Sequence, residues 1–175
     1  MTTFSHLALS VADLQRSRAF YCDALGFRPG NEYSSAGPRM AKLMEAPTSG
    51  FTGCFLRRGD FFLELLAYAD GSRAAEPPRR PEEYGFAHLS FVVGDIGGAV
   101  ARIERHGGAL RTRLDHSFRD APERPRTVIV FCTDPDGNRI ELIEHPDSSE
   151  RAAHVEFLGL EPVGWPAAGV LEPAE

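Results

Sequence analysis

The chain is poor in cysteine, lysine and uninterrupted apolar sequence, and each shortage excludes something. Its three cysteines, Cys22, Cys54 and Cys132, are odd in number, widely separated and free of any Cys-x-x-Cys spacing. That excludes a disulfide framework and a thiolate zinc site, and it points to buried thiols in a reducing compartment. Lys42 is the only lysine among 19 basic residues, a bias that reads as genome composition. With 25 acidic residues the formal net charge is −6, which argues against a nucleic-acid partner, since such a partner asks for a clustered basic surface. No apolar run approaches membrane-spanning length, and the first residues pass straight into a strand pattern without a signal-like segment. The expectation is a cytoplasmic protein with no membrane partner. At 175 residues, 42% hydrophobic and 25% charged, the composition suits one well-buried domain or two small modules sharing a core.

What the sequence does have is a pattern written twice. Phe4, His6, Leu7, Val11, Asp13 and Gly26 recur as Phe86, His88, Leu89, Val93, Asp95 and Gly108, at a constant offset of 82 residues. Each half then closes on a strand-like segment with a carboxylate inside it, Leu63-Glu64-Leu65-Leu66 and Ile140-Glu141-Leu142-Ile143. Both histidines lie in segments of period two, with His6, Ala8 and Ser10 opposing Leu7, Leu9 and Val11, and His88 and Ser90 opposing Leu89 and Phe91. Glu64 has Phe62 and Leu66 on its own face, where an unpaired carboxylate is costly to bury. Two copies of one unit packed about a pseudo-twofold would bring His6, Glu64, His88 and Glu141 to one point. Imidazole nitrogen and carboxylate oxygen suit a divalent first-row ion, here Ni, Co, Zn, Mn or Fe.

Each half reads in the order strand, helix, three strands. The first predicts a strand over 4–11, a helix capped by Asp13 that buries Leu14, Ala19, Phe20 or Tyr21 and Leu25 and stops at Gly26, then strands near 27–33, 52–58 and 61–68. The second predicts a strand over 86–93, a helix from Asp95 to about His106, and strands near 109–113, 126–133 and 138–144. Asp134-Pro135-Asp136-Gly137 is a tight-turn sequence between the last two. The fold class is α+β, with two paired βαβββ modules forming a cupped, mixed eight-stranded sheet. The modules span 1–70 and 84–145, joined by a linker over 71–83 and followed by an extension over 146–175. Segments 34–50 and 115–125 interrupt the pattern and read as lids or substrate walls. In the extension, Val155, Phe157, Leu158, Leu160 and Trp165 read as docking on the body or on a partner subunit. A helix C-terminus accounts for His106, while His116, His145 and His154 are expected on the surface.

Several of these segments carry a resemblance. Val11-x-Asp13-Leu14-x-x-Ser17-x-x-Phe20-Tyr21 with Leu25-Gly26-Phe27 is similar to the opening strand and helix of the vicinal oxygen chelate superfamily. Thr127-Val128-Ile129-Val130-Phe131 with Asp134-Pro135-Asp136-Gly137-Asn138-Arg139-Ile140-Glu141-Leu142 resembles the closing hairpin of glyoxalase I. The nearest motifs are those of glyoxalase I and methylmalonyl-CoA epimerase. The resemblance implies metal ligands at His6, Glu64, His88 and Glu141, in a site completed within one chain or across a homodimer. Where glyoxalase I enzymes usually place a glutathione-binding Arg this chain has Ser10, and Ala67 and Tyr68 occupy the region of their Asn. Where epimerases often carry a catalytic Glu it has Thr48.

Four protein ligands on an octahedral ion leave two positions for adjacent substrate oxygens. The expected activity is therefore that of a glyoxalase-like lyase or isomerase, moving a proton next to a carbonyl through a metal-stabilised enediolate, with Glu64 or Glu141 as the base. The partner is a small molecule with two neighbouring oxygens. Two other classes stay open. One is an extradiol-type iron dioxygenase using His6, His88 and Glu141. The other is a non-catalytic antibiotic-binding protein walled by Phe51, Phe55, Phe62 and Phe118.

Overall fold

The first strand of each half gathers apolar residues on one face, Leu7 and Leu9 in one and Leu89, Phe91 and Val93 in the other, so that face needs cover, and a helix follows at once. In a computed structural model that describes residues 2–46, 50–69, 80, 82–112, 127–145 and 147–159, the chain divides into two units, Met1–Glu83 and Tyr84–Glu175. The first runs β1 (Leu7–Ser10), α1 (Leu14–Leu25), β2 (Arg28–Ala36), α2 (Pro38–Leu43), β3 (Gly50–Arg58) and β4 (Phe61–Tyr68). The second runs β5 (Leu89–Val93), α3 (Ile96–Arg105), β6 (Ala109–Leu110), β7 (Val128–Thr133), β8 (Arg139–Glu144) and α4 (Ser148–Phe157). Each is a four-stranded mixed sheet, ordered β1-β4-β3-β2 and β5-β8-β7-β6. The α+β class and the βαβββ order are those expected from the sequence.

Local chemistry sets the helix ends. Asp13 Oδ1 accepts from Arg16 N at 3.0 Å, and Gly26 closes α1 in the left-handed conformation at φ 71°. Asp95 repeats the first role, with Oδ1 accepting from Gly98 N at 3.1 Å. One stripe of α1, Leu14, Ser17, Phe20, Tyr21, Ala24 and Leu25, is buried against the apolar face built from Leu9, Cys54, Leu56, Leu63 and Leu65. Ala19, expected in that stripe, is exposed, because it lies off the i, i+3, i+4 progression that the other six follow. In the second unit Ile96, Ala99, Val100 and Ile103 of α3 are buried, and Val130, Cys132, Ile140 and Leu142 supply the apolar sheet face.

Three expectations need correction. Segment 34–50 is not an irregular insertion in its first part: β2 continues to Ala36, with Ser34, Ser35 and Ala36 paired to Thr52, Phe51 and Gly50, and α2 follows. The polar pair Ser34-Ser35 hid a strand held by backbone pairing with β3 rather than by alternation. Second, His154 is 8% exposed and His145 is half-buried, not at the surface. Their rings lie 5.1 Å apart, and Thr127 Oγ1 is 3.1 Å from His145 Nδ1. The extension accounts for this, since α4 turns His154 and Val155 inward. Leu158, by contrast, is exposed. Third, of the three free cysteines Cys54 and Cys132 are buried but Cys22 is only half-buried. Thr48, Phe118, His116, Leu160, Trp165, the 115–125 loop and most of the 71–83 linker lie outside the described residues. Among those described, no helix is long and apolar enough to cross a membrane.

The β7–β8 turn depends on one side chain. Asp134, 2% exposed, accepts from Asp136 N at 2.9 Å and Asn138 N at 2.8 Å through Oδ1, and from Asn138 Nδ2 at 2.8 Å through Oδ2. Asp134→Ala strips an acceptor from partly buried amides and is expected to cost about 1–3 kcal/mol, whereas Asp13→Ala, at an exposed cap, costs about 1 kcal/mol. Chemical denaturation of the two variants checks the order.

Burial lowers the His154 pKa from the ordinary 6.5, with the Glu141 charge opposing the shift. Above that value both folded and unfolded chains hold the imidazole neutral. As pH falls through 6.5 the unfolded chain takes up the proton first, so stability is lost downward from there toward the folded pKa. His154→Gln should flatten the stability-against-pH curve between about pH 7 and 5, and equal slopes in variant and wild type would remove His154 as the cause.

Candidate metal centre

In each unit the first and last strands of the sheet run parallel, and that pairing places the histidine beside the glutamate. In the first unit Ala8 is level with Glu64, and His6 stands two residues earlier, on the same side of the chain. In the second, Ser90 is level with Glu141 and His88 precedes it in the same way. The result is His6 Nε2 at 3.3 Å from Glu64 Oε2, and His88 Nε2 at 3.5 Å from Glu141 Oε2. The four side chains expected from the sequence are thus brought together as two pairs, one per unit. Their surroundings are less enclosed than expected: the imidazoles are 35% exposed, Glu64 15% and Glu141 16%. Phe62 leaves the Glu64 side chain partly open, being itself exposed.

A phenylalanine completes each pair, and the two are equivalent. Phe55 is the β3 register partner of Glu64, and Phe131 the β7 partner of Glu141. The first presents its ring to His6 at 5.2 Å and the second to His88 at 5.4 Å, both near-perpendicular. Ser5 Oγ lies 3.0 Å from His6 Nδ1. If His6 turns its Nε2 lone pair to a ligand, Nδ1 carries the hydrogen and donates to that hydroxyl.

Around this common core the units differ. Tyr33 on β2 donates to Glu64 Oε1, while Ser90 donates to Glu141 Oε2 at 2.6 Å. Burial, then the adjoining Glu64 carboxylate, pushes the Tyr33 phenol well above its ordinary pKa of 10, so it stays a proton donor. The Arg139 guanidinium sits 4.6 Å from the Phe131 ring centroid, and Arg139, two residues before Glu141, stands where the first unit has Phe62. The open face of the first unit is aromatic: Tyr33 stacks on Phe55 at 6.0 Å and meets Phe51 edge-on at 6.1 Å, and Phe51 meets Tyr68 at 5.8 Å.

Tyr33 has no place in the duplicated pattern, which is why sequence reasoning missed it. The available signal was Gly53, a glycine inside an otherwise bulky strand, which marks a point of close approach. Phe131 was read only as part of a hairpin, although it precedes Glu141 much as Phe55 precedes Glu64.

The donor set fits a divalent ion. Donors bound about 2.0–2.2 Å from one cation, as His and carboxylate ligands are, lie about 3–3.5 Å apart, which is the separation found in both pairs. Among the described residues no three His, Cys, Asp or Glu side chains gather into one group; each unit supplies two donors.

The family model Glyoxalase/Bleomycin resistance protein/Dioxygenase superfamily matches residues 3–142. An uncharacterised Escherichia coli protein, YaeR, is 33% identical over 142 residues, 79% of this chain and 93% of its own. A lactoylglutathione lyase of Salmonella typhimurium is 30% identical over 143 residues, 82% and 93% of the two chains. A glyoxalase family protein from Bacillus cereus shares the fold at a TM-score of 0.68 and 16% identity, with 82% of this chain and 94% of that one covered. The chain belongs to the glyoxalase/bleomycin resistance protein/dioxygenase superfamily.

Proposed function

We propose that the protein is a metal-dependent, glyoxalase-like lyase or isomerase that transfers a proton next to a carbonyl of a small substrate bearing two neighbouring oxygens. The observation that carries this reading is the His–Glu pair repeated in both units at 3.3 and 3.5 Å. His6 and Glu64 with His88 and Glu141 would hold the ion, either within one chain or across a homodimer. When bound, a divalent ion such as Ni, Co, Zn, Mn or Fe supplies Lewis acidity toward the substrate oxygens.

The chain's own residues do the rest. Glu64 or Glu141 takes the proton from the carbon beside the carbonyl, and the electron pair left behind delocalises onto the carbonyl oxygen. For isomerisation the same carboxylic acid returns a proton to the neighbouring carbon while the substrate's hydroxyl proton passes to the former carbonyl oxygen; for epimerisation the other glutamic acid protonates the opposite face of the same carbon. Ser90, on Glu141 Oε2, keeps that carboxylate oriented. Phe55 and Phe131 shield the imidazoles from water on one side. The similarity to a lactoylglutathione lyase supports a lyase, while Ser10, at the position of the glutathione-binding Arg, favours a different thiol adduct or a non-thiol substrate. An iron dioxygenase would need only three of the four ligands, and the matching geometry of Glu64 and Glu141 favours using both. Three free cysteines suit the reducing cytoplasm.

Glu64→Ala and Glu141→Ala are each expected to leave the chain folded but to bind divalent metal substoichiometrically by elemental analysis; full stoichiometry in both removes the four-ligand site. Turnover should deposit solvent deuterium on the carbon next to the carbonyl, detected by NMR. Replacing the carboxylate that serves as base by Gln should slow this exchange by about 10²–10⁴-fold. Oxygen uptake with a catechol by the iron-loaded protein would instead establish the dioxygenase.

A further inference from the structure

We propose that Tyr33 is a positioning residue that decides which oxygen of Glu64 faces His6, and that Gly53 exists to let it do so. The inference rests on the metal-site reading above and deepens it. Tyr33 lies on β2, and Glu64 lies two strands away on β4, with β3 between them. The phenol can reach the carboxylate only by crossing β3. It crosses at Gly53, its own register partner.

A Cβ at position 53 would fall 2.5 Å from both Tyr33 Cζ and Oη, well inside van der Waals contact, so any larger residue displaces the ring. Nothing in the backbone demands glycine there, since Gly53 is not among the glycines with positive φ. The missing side chain serves Tyr33.

The ring is then held from two further sides, stacked on Phe55 at 6.0 Å with planes 24° apart and edge-on to Phe51 at 6.1 Å. Its hydroxyl donates to Glu64 Oε1, which leaves Oε2 at 3.3 Å from His6 Nε2. The terminal torsion of a glutamate is broad and intrinsically undecided between its two oxygens. A donor fixed on one oxygen removes that freedom and presents the other, already oriented, to a cation. In the second unit the hydroxyl of Ser90 and the imidazole of His88 address the same oxygen, Glu141 Oε2, so this division of labour belongs to Glu64 alone.

The test is calorimetric titration of Ni²⁺ and Co²⁺ into the metal-free full-length protein, with thermal melts by circular dichroism to confirm folding. Tyr33→Phe keeps the ring and removes only the donor, and it should weaken metal binding about 10–100-fold, the usual effect of losing a ligand's orienting partner. Gly53→Ala should do the same while retaining the hydroxyl. The double variant should be no weaker than the worse single, because both act through one contact. Tyr68→Phe, which alters another tyrosine of the same face, should leave the affinity unchanged.

The visible absorption bands of the cobalt-loaded protein should change in position or intensity for Tyr33→Phe and Gly53→Ala but not for Tyr68→Phe, a signature that mere loss of stability would not produce. Wild-type affinity and spectrum in folded Tyr33→Phe would overturn the role of Tyr33 and leave the metal site standing. Additive losses in the double variant would overturn the role of Gly53. Failure of the wild-type protein to bind either metal would overturn the metal reading and this inference together.

Discussion

The parallel pairing of first and last strands is the constraint on which the remainder of each unit depends. Two parallel strands cannot be joined by a hairpin; they need a crossover, and the helix that follows the first strand begins one. The same helix covers the apolar face created by that pairing. The opposite face is left uncovered by its own helix and carries the polar members of the alternation, His6 with Glu64 or His88 with Glu141. Core and site are thus two sides of one register, and the antiparallel strands β3 and β7 extend it by setting Phe55 and Phe131 level with the two carboxylates.

Duplication fixed the common plan, and the departures from it show where the halves have taken different roles. The first half surrounds its carboxylate with aromatic rings and a phenol donor. The second uses a serine hydroxyl, places a guanidinium over Phe131, and adds a helix that buries an imidazole electrostatically coupled to Glu141. A unit repeated without change would surround both carboxylates alike. These substitutions make the two surroundings unlike, aromatic in the first unit and bearing a guanidinium in the second.

Much of this was legible in the chain itself. The helices could be placed because Asp13, Gly26 and Asp95 act locally, and the core strands because Leu63 and Leu65, or Ile140 and Leu142, alternate with residues of another kind. The four candidate donors stood out because they recur. What escaped notice was held by partners rather than by pattern. Ser34 and Ser35 form strand only because β3 supplies their backbone hydrogen bonds. His154 is buried because α4 docks; Val155 announces that docking, but a histidine beside it carries no apolar signal of its own. Tyr33 meets Glu64 across a strand, a contact that separation along the chain conceals.

The hairpin between β3 and β4 is as short as a hairpin can be. Arg58 pairs with Phe61, and only Gly59, at φ 60°, and Asp60 lie between them. A turn of this length has no slack to absorb a change in chain length. One inserted residue would drive the following strand out of step by one position, sending Glu64 into the apolar layer and Leu63 or Leu65 out of it. This turn is therefore closed to insertion and deletion, and its length should prove among the slowest-changing features of the molecule.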